Sequence, residues 1–168
     1  MNHFAKAGDK LTALGTYLAG VVALLDQGSK AWLLDFVMKP PRVVPVTSWF
    51  NLVLSWNKGV TFGLFNHVPA WEAWQSYILI AIALVILALL FRWLTQCETL
   101  WAALGLGFVM GGAVGNVIDR VRFGAVTDFL DFHIDGWHWY AFNLADSAIV
   151  CGICFLALDH LVMARKKG

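Results

Sequence analysis

From Tyr77 to Phe91 the chain carries fifteen consecutive apolar residues, with no charge, proline or glycine among them. A helix needs roughly 20 mostly apolar residues to cross about 30 Å of hydrocarbon. Here Trp71 and Trp74 precede the run, and Arg92 and Trp93 close it, as anchors at the two interfaces. Few water-soluble folds can bury such a segment, and the rest of the chain is of the same kind. Of 168 residues, 60% are hydrophobic and 14% charged, against about 25% charged in a soluble domain. Disorder is excluded by the hydrophobicity. Twelve basic against eleven acidic residues leave no field for nucleic acid.

Three further stretches complete an integral membrane, mainly α protein of four transmembrane helices. Leu11 to Leu25 ends at Asp26 and continues amphipathically toward Val37. Leu100 to Ile118 is uncharged over nineteen residues and rich in glycine. The last runs from about Ala141 to Met163, with Asn143 and Asp146 in its first turns and Asp159 near its end. The spans fall at about 11–34, 71–93, 99–119 and 141–163, in one membrane domain covering 1–168. Lys6 and Lys10 before an apolar run resemble a signal peptide, but the run is long for one, so a retained first span is expected. Residues 40–65 read differently. Pro40, Pro41 and Pro45 break helical pairing, a β-branched and aromatic segment follows, and Asn57, Gly59 and Gly63 supply turn chemistry. A small β-rich element on the outer face of the bundle is predicted.

Four spans put both tails on one side and the loops at about 26–70 and 119–140 on the other. Basic residues divide six against six between the two sides. They are denser in the shorter tail-side segments, which places the tails inside.

Ionisable groups at the ends of spans are costly and therefore candidates for function. Asp26 ends the first span, Asp119 ends the third, and Asp146 lies early in the fourth. Asp128, Asp131 and Asp135 occupy the loop between the third and fourth. Parity brings all six to one face, where water is available. Two like charges about 4 Å apart repel by roughly 4 kcal/mol at an effective dielectric near 20, so a carboxylate pair holds one proton near neutral pH. Its ionised member can activate water while the protonated one polarises a peptide carbonyl. The competing reading is helix capping and pairing with Lys30, Arg120 and Arg122, and the residues alone leave open which aspartates would act. Gly107, Gly111 and Gly115 recur every four residues and continue to Asp119, a stripe suited to close helix packing that presents Asn116 and Asp119 at the surface. Asn143 and Asp146 share a helix face.

Other chemistries have weaker footing. Cys151 and Cys154 form C-x-x-C within an apolar span and read as buried thiols, and Cys97 leaves the count odd. Asp131, His133, Asp135 and His138 lack any metal-ligand spacing, and no nucleophile motif surrounds Ser147. A small proton- or ion-coupled carrier would use Asp26, Asp119 and Asp146, but their clustering at one face and the apolar second span tell against a conduction path.

Five motifs in order resemble the lipoprotein signal peptidase family, the bacterial aspartic intramembrane endopeptidases also called signal peptidase II. They are Asp26-Gln27-Gly28-Ser29-Lys30 (D-Q-x-x-K), Asn57 to Gly63 (N-x-G-x-x-F-G), Gly111 to Arg120 (G-G-A-x-G-N-x-x-D-R), Val126 to Phe129 (V-x-D-F) and Phe142 to Asp146 (F-N-x-A-D). The resemblance implies that Asp128 and Asp146 are the catalytic dyad, supported by Asn116, Asp119, Arg120 and Asn143. It implies that Asp26, Lys30, Asn57 and Gly59 shape the pocket or fold. It selects Asp128 over Asp131, which the residues alone do not. The implied substrate is a diacylglyceryl-modified prolipoprotein, cleaved on the N-terminal side of the lipid-bearing cysteine. No cofactor or metal is implied. Globomycin-type inhibitors, surrounding membrane lipids and residence in the bacterial inner membrane are implied with it, and nothing in the residues requires more than a monomer.

Overall fold

The computed structural model describes residues 2–59 and 72–165, with side chains over 8–59 and 74–164. Val60 to Phe65 of the β-rich stretch, Thr61 to Gly63 of the second motif and the Trp71 anchor lie outside the described residues, as do the side chains of Lys6, Arg165, Lys166 and Lys167. Among the described residues there are four long helices and four short strands: α1 (Asn2–Trp32), β1 (Val44–Thr47), β2 (Phe50–Asn57), α2 (Glu72–Leu94), α3 (Leu100–Phe123), β3 (Val126–Ile134), β4 (Trp137–His138) and α4 (Leu144–Arg165). All four helices contain a stretch long and apolar enough to cross a membrane.

Helix α3 is the axis of the bundle, and glycines let its neighbours close on it. A Cβ at Gly107 would lie 2.7 Å from the Gly15 carbonyl oxygen, and one at Gly111 would lie 2.7 Å from that of Ala19. The four-residue stripe therefore faces α1. A second stripe of small residues, not anticipated from the sequence, faces α4. There a Cβ on Gly105 would lie 2.9 Å from the Gly152 carbonyl, and one on Gly112 would collide with the Ala145 carbonyl. Small residues on two faces bring backbones close enough for dense dispersion contact, which is what drives association where lipid supplies no hydrophobic gain.

The ends of α3 are set by local chemistry. The Thr99 hydroxyl accepts from the Ala102 amide (3.1 Å) at the N-cap and donates to Asp159 of α4 (2.5 Å). Gly124, at φ 70°, returns its amide to the Arg120 carbonyl (3.0 Å), a left-handed stop that suits glycine. The contacts of Gly107, Gly111 and Gly115 with Gly15, Ala19 and Asp26 run α1 and α3 in the same direction, and those of Thr99 with Asp159 and Gly112 with Ala145 run α4 against them. Helix α2 leans on the outside with many side chains exposed, among them Ile82, Val85 and Leu89. Its end drives Leu94 into the core beside Ala103 and Leu106.

Beyond Trp32, α1 widens into a π-helical turn over Leu33–Val37, closed by the Met38 amide on the Leu33 carbonyl (2.9 Å). Leu33 and Met38 pack under Phe129, with Leu52, Leu54 and Leu130 around them, so a small second core seats the sheet on the end of α1. The sheet is antiparallel in the order β1-β2-β3-β4. Half of it comes from 126–138, a segment taken from the sequence as loop; Asp128 and Asp131 accordingly stand on a strand. Asp135 (φ 50°) and Gly136 (φ 81°) make the turn between β3 and β4, the Asp-Gly pair that a two-residue hairpin with both φ values positive prefers. Helix α4 starts three residues later than its expected limit because the Leu130–Phe142 bridge holds the preceding chain extended.

Close packing on the α4 face of α3 sets a test. Gly112→Leu forces the Ala145 backbone away and should cost about 1–3 kcal/mol or more, read as a lowered melting temperature in detergent. Gly20→Leu, whose Cβ meets nothing within 4 Å, should stay within about 0.5 kcal/mol of the parent.

Candidate active site

Where the C-terminal end of α1, the last turns of α3, the start of α4 and the middle of β3 converge, four carboxylates are buried or nearly so. They divide into two pairs with different partners. Asp26 and Asp119, both fully buried, flank Lys30, itself 2% exposed. Lys30 Nζ lies 2.8 Å from Asp26 and 3.1 Å from Asp119, and reaches Asn116 Oδ1 at 3.4 Å. Asp26 also accepts from the Ala145 amide (2.9 Å), and Asp119 from the Thr127 amide (2.9 Å). One buried ion triad thus joins α1 to α3, the first turn of α4 and the start of β3. Gln27 braces it by donating to Asp119 (2.8 Å) and to the Gly115 carbonyl (3.1 Å). Its place in the first motif was visible in the sequence, but no role was assigned to it.

The second pair, Asp128 and Asp146, lines a groove and has no cation in direct contact among the described residues. Asp128 is 2% exposed and accepts from Asn143 Nδ2 (2.7 Å) and Asn57 Nδ2 (3.0 Å). Asp146 accepts from Asn116 Nδ2 (3.0 Å) and the Asn143 amide (3.2 Å), and its own amide donates to Asn143 Oδ1 (2.9 Å). Asn143 therefore caps α4 while its side-chain amide holds Asp128 and its backbone amide holds Asp146. Burial, reinforced by the negative charge of Asp146, pushes the Asp128 carboxyl up to about 7 despite the donors Asn57 and Asn143. Such a group exchanges a proton near neutral pH. Arg120 donates to the Gly59 carbonyl (2.8 Å) and to that of Asn116 (3.4 Å), drawing the chain after β2 toward α3.

Each site residue expected from the motifs (Asp26, Lys30, Asn57, Gly59, Asn116, Asp119, Arg120, Asp128, Asn143 and Asp146) lies in this connected network. Asp131 and Asp135 do not. Successive residues of a strand point to opposite faces, so Asp131, three beyond Asp128, turns away toward Asn51 and His138. Asp135 occupies the hairpin turn. Among the described residues no three His, Cys, Asp or Glu side chains gather as metal ligands would.

The groove has a volume of about 390 Å³. Asn57, Asp128 and Asp146 form its polar end. Trp139, Tyr140, Ala141 and Phe142 form one wall, and Ser147, Val150 and Cys151 continue it along α4 into the membrane-spanning region. None of the wall residues outside the F-N-x-A-D motif was foreseen. Cys151 and Cys154 are exposed on α4 rather than buried as expected, and Cys97 is the buried thiol. The apolar surroundings of the C-x-x-C were legible, but the helix turns that face toward lipid.

Four spans, a surface sheet and two carboxylates at one end of a groove opening along a helix make up a membrane-type bundle with a candidate acid pair at one end. The family described as signal peptidase (SPase) II matches residues 18–162. The chain is 43% identical over 156 residues to a protein of Rhodopseudomonas palustris (strain TIE-1) named lipoprotein signal peptidase, spanning 90% of this chain and 93% of that one. A protein of the same name from Janthinobacterium sp. (strain Marseille) is 43% identical over 168 residues, 99% and 96% of the two chains. A bacterial membrane enzyme solved by the in meso method at 2.3 Å resolution superposes with a TM-score of 0.78 at 25% identity, covering 92% of this chain and 91% of that one. The chain belongs to the signal peptidase II family and is a protease. The carrier alternative finds no support in these relatives.

Removing one member of the buried triad leaves the others uncompensated. Lys30→Met should destabilise the protein by about 3–5 kcal/mol, measured by thermal unfolding in detergent. Adding Asp26→Asn and Asp119→Asn to Lys30→Met should recover most of that loss, because both amides can still accept from Ala145 and Thr127.

Proposed function

We propose that this protein is an aspartic endopeptidase in which Asp128 and Asp146 form the catalytic dyad. On this reading it removes the signal peptide of a prolipoprotein on the N-terminal side of a diacylglyceryl-modified cysteine. The observation that carries the assignment is the position of Asn143, which holds one carboxylate through its side chain and the other through its backbone. A buried acid, Asp128, and a half-buried one, Asp146, are thereby fixed relative to each other and to the helix start.

Near neutral pH the pair holds one proton, which belongs to both residues rather than to either. The ionised carboxylate takes a proton from a water as its oxygen attacks the scissile carbonyl carbon, and the protonated carboxyl donates to the carbonyl oxygen. Collapse of the tetrahedral intermediate breaks the carbon–nitrogen bond while the leaving amine takes a proton from the dyad. Asn57, Asn116 and Asn143 keep the acids in place without neutralising them. The Lys30 triad holds the helices that carry them.

The arrangement suits a lipidated substrate. The polar end of the groove lies at the level where the helices meet the sheet, and its continuation past Ser147, Val150 and Cys151 is open to the bilayer. Acyl chains and a signal-peptide helix can enter from the side while water reaches the dyad from the aqueous phase. In this reading the chain is a single membrane domain, a monomer among lipids of the bacterial inner membrane. Its termini are cytoplasmic and its sheet lies on the outer, periplasmic face. Globomycin-type cyclic peptides would occupy the same groove, and no metal or cofactor takes part.

Cleavage of a diacylglyceryl-modified prolipoprotein in lipid tests the assignment. Asp128→Asn and Asp146→Asn should each lower the rate on the order of a thousandfold with the fold intact, and a chelator should have no effect. Asp35→Asn, which breaks only an exposed pair with Lys39 (2.7 Å), should cleave normally. Retained cleavage in both dyad variants overturns the assignment. A proton shared by the dyad also requires a bell-shaped pH profile. Cleavage falls at low pH when both acids are protonated, and on the alkaline side as pH rises through about 7, the value to which burial and the Asp146 charge raise Asp128, where the pair gives up its shared proton.

A further inference from the structure

Strand β3 presents two carboxylates to opposite faces, and only Asp128 is used by the proposed chemistry. Asp131 is 5% exposed, and its two partners come from the strands on either side. Asn51 Nδ2 of β2 donates to it at 2.9 Å, and His138 Nδ1 of β4 lies 2.9 Å from both of its oxygens. The His138 ring also stacks on His133, with centroids 5.0 Å apart. β4 is only two residues long and, among the described residues, pairs with β3 alone, so this side-chain contact reinforces a short backbone pairing. The next residues are the groove wall. Trp139 donates its amide to the Phe132 carbonyl (2.8 Å), and Phe142 exchanges backbone bonds with Leu130. Trp139, Tyr140 and Ala141 between these two ties face the groove that contains Asp128 and Asp146.

We propose that His138 and Asp131 form a latch that sets the Trp139–Ala141 wall, making His138 a positioning residue for substrate rather than a group in the chemistry. The inference rests on the peptidase reading of the groove. Burial acts to raise the Asp131 carboxyl, but the hydrogen bonds from Asn51 and His138 outweigh it and hold it below the usual carboxylate range. The latch is therefore charge-assisted and stronger than a neutral pair. Asp131 has no contact with the dyad, so loosening the latch moves the wall and leaves both catalytic carboxylates in their bonds to Asn57, Asn116 and Asn143.

The test compares His138→Phe, which keeps a ring against His133 but loses the Nδ1 donor, with His138→Asn, whose amide nitrogen can replace it. His138→Phe should raise KM for the lipidated prolipoprotein about tenfold with kcat within about twofold of the parent. It should also speed hydrogen exchange in peptides spanning 137–142 without altering exchange in the helices, and His138→Asn should restore both. An unchanged KM, a fall in kcat alone, unaltered exchange over 137–142, or failure of His138→Asn to rescue would each overturn the latch. If His138→Phe does not fold, Asn51→Ala, which strips Asp131 of its other donor, is judged by the same two readouts. Failure of the parent protein to cleave would instead count against the peptidase reading, and the exchange measurement would still decide the latch.

Discussion

A lysine with 2% of its surface exposed, between two fully buried aspartates, sits at the junction of α1, α3, α4 and β3. Charges in such surroundings are retained only when paired and hydrogen-bonded. Each aspartate also accepts from a backbone amide of a different element, Ala145 at the start of α4 and Thr127 at the start of β3. The energetic penalty for misplacing either element is therefore that of an uncompensated buried charge, far larger than that of a lost apolar contact. The two elements held this way carry Asp146 and Asp128.

The division of labour among the carboxylates follows from their partners. Lys30 keeps Asp26 and Asp119 as structural anions, while Asp128 and Asp146 are surrounded by amides of asparagine and backbone. An asparagine donates to a carboxylate without fixing its charge, so the pair can exchange a proton. Asn116 bridges the two groups, accepting from Lys30 and donating to Asp146. The glycine stripes of α3 have an equal part in this, since a Cβ at Gly115 would collide with Asp26. Packing and electrostatics are settled at the same positions.

Much of this was legible in the residues because bilayer thickness and helical periodicity leave few choices. Four apolar stretches mark the spans, and charged groups at their ends mark the site. Asp26, Asp119 and Asp146 could be placed at one face by parity alone. The choice between Asp128 and Asp131 could not be made that way. Which face a strand residue takes depends on register, and here register comes from β2, whose Ser55 pairs with Asp128 across a bulge. Family motifs supplied that choice. The β3–β4 hairpin was missed although Asp135-Gly136 is a turn signal, because its flanks were read only as the loop between spans. The thiols of α4 were misplaced because hydropathy does not distinguish a helix face buried in protein from one facing lipid.

The sheet joins Phe50–Asn57 to Val126–Ile134, and two entire membrane crossings lie between those segments in the chain. β2 has β1 beside it but cannot pair with β3 until α2 and α3 have been threaded, and such non-local pairing is the slow kind. Asp128 on β3, and after it Asp146 on α4, follow both crossings in the chain. A chain assembled in this order brings the two carboxylates of its groove together only when the bundle is whole.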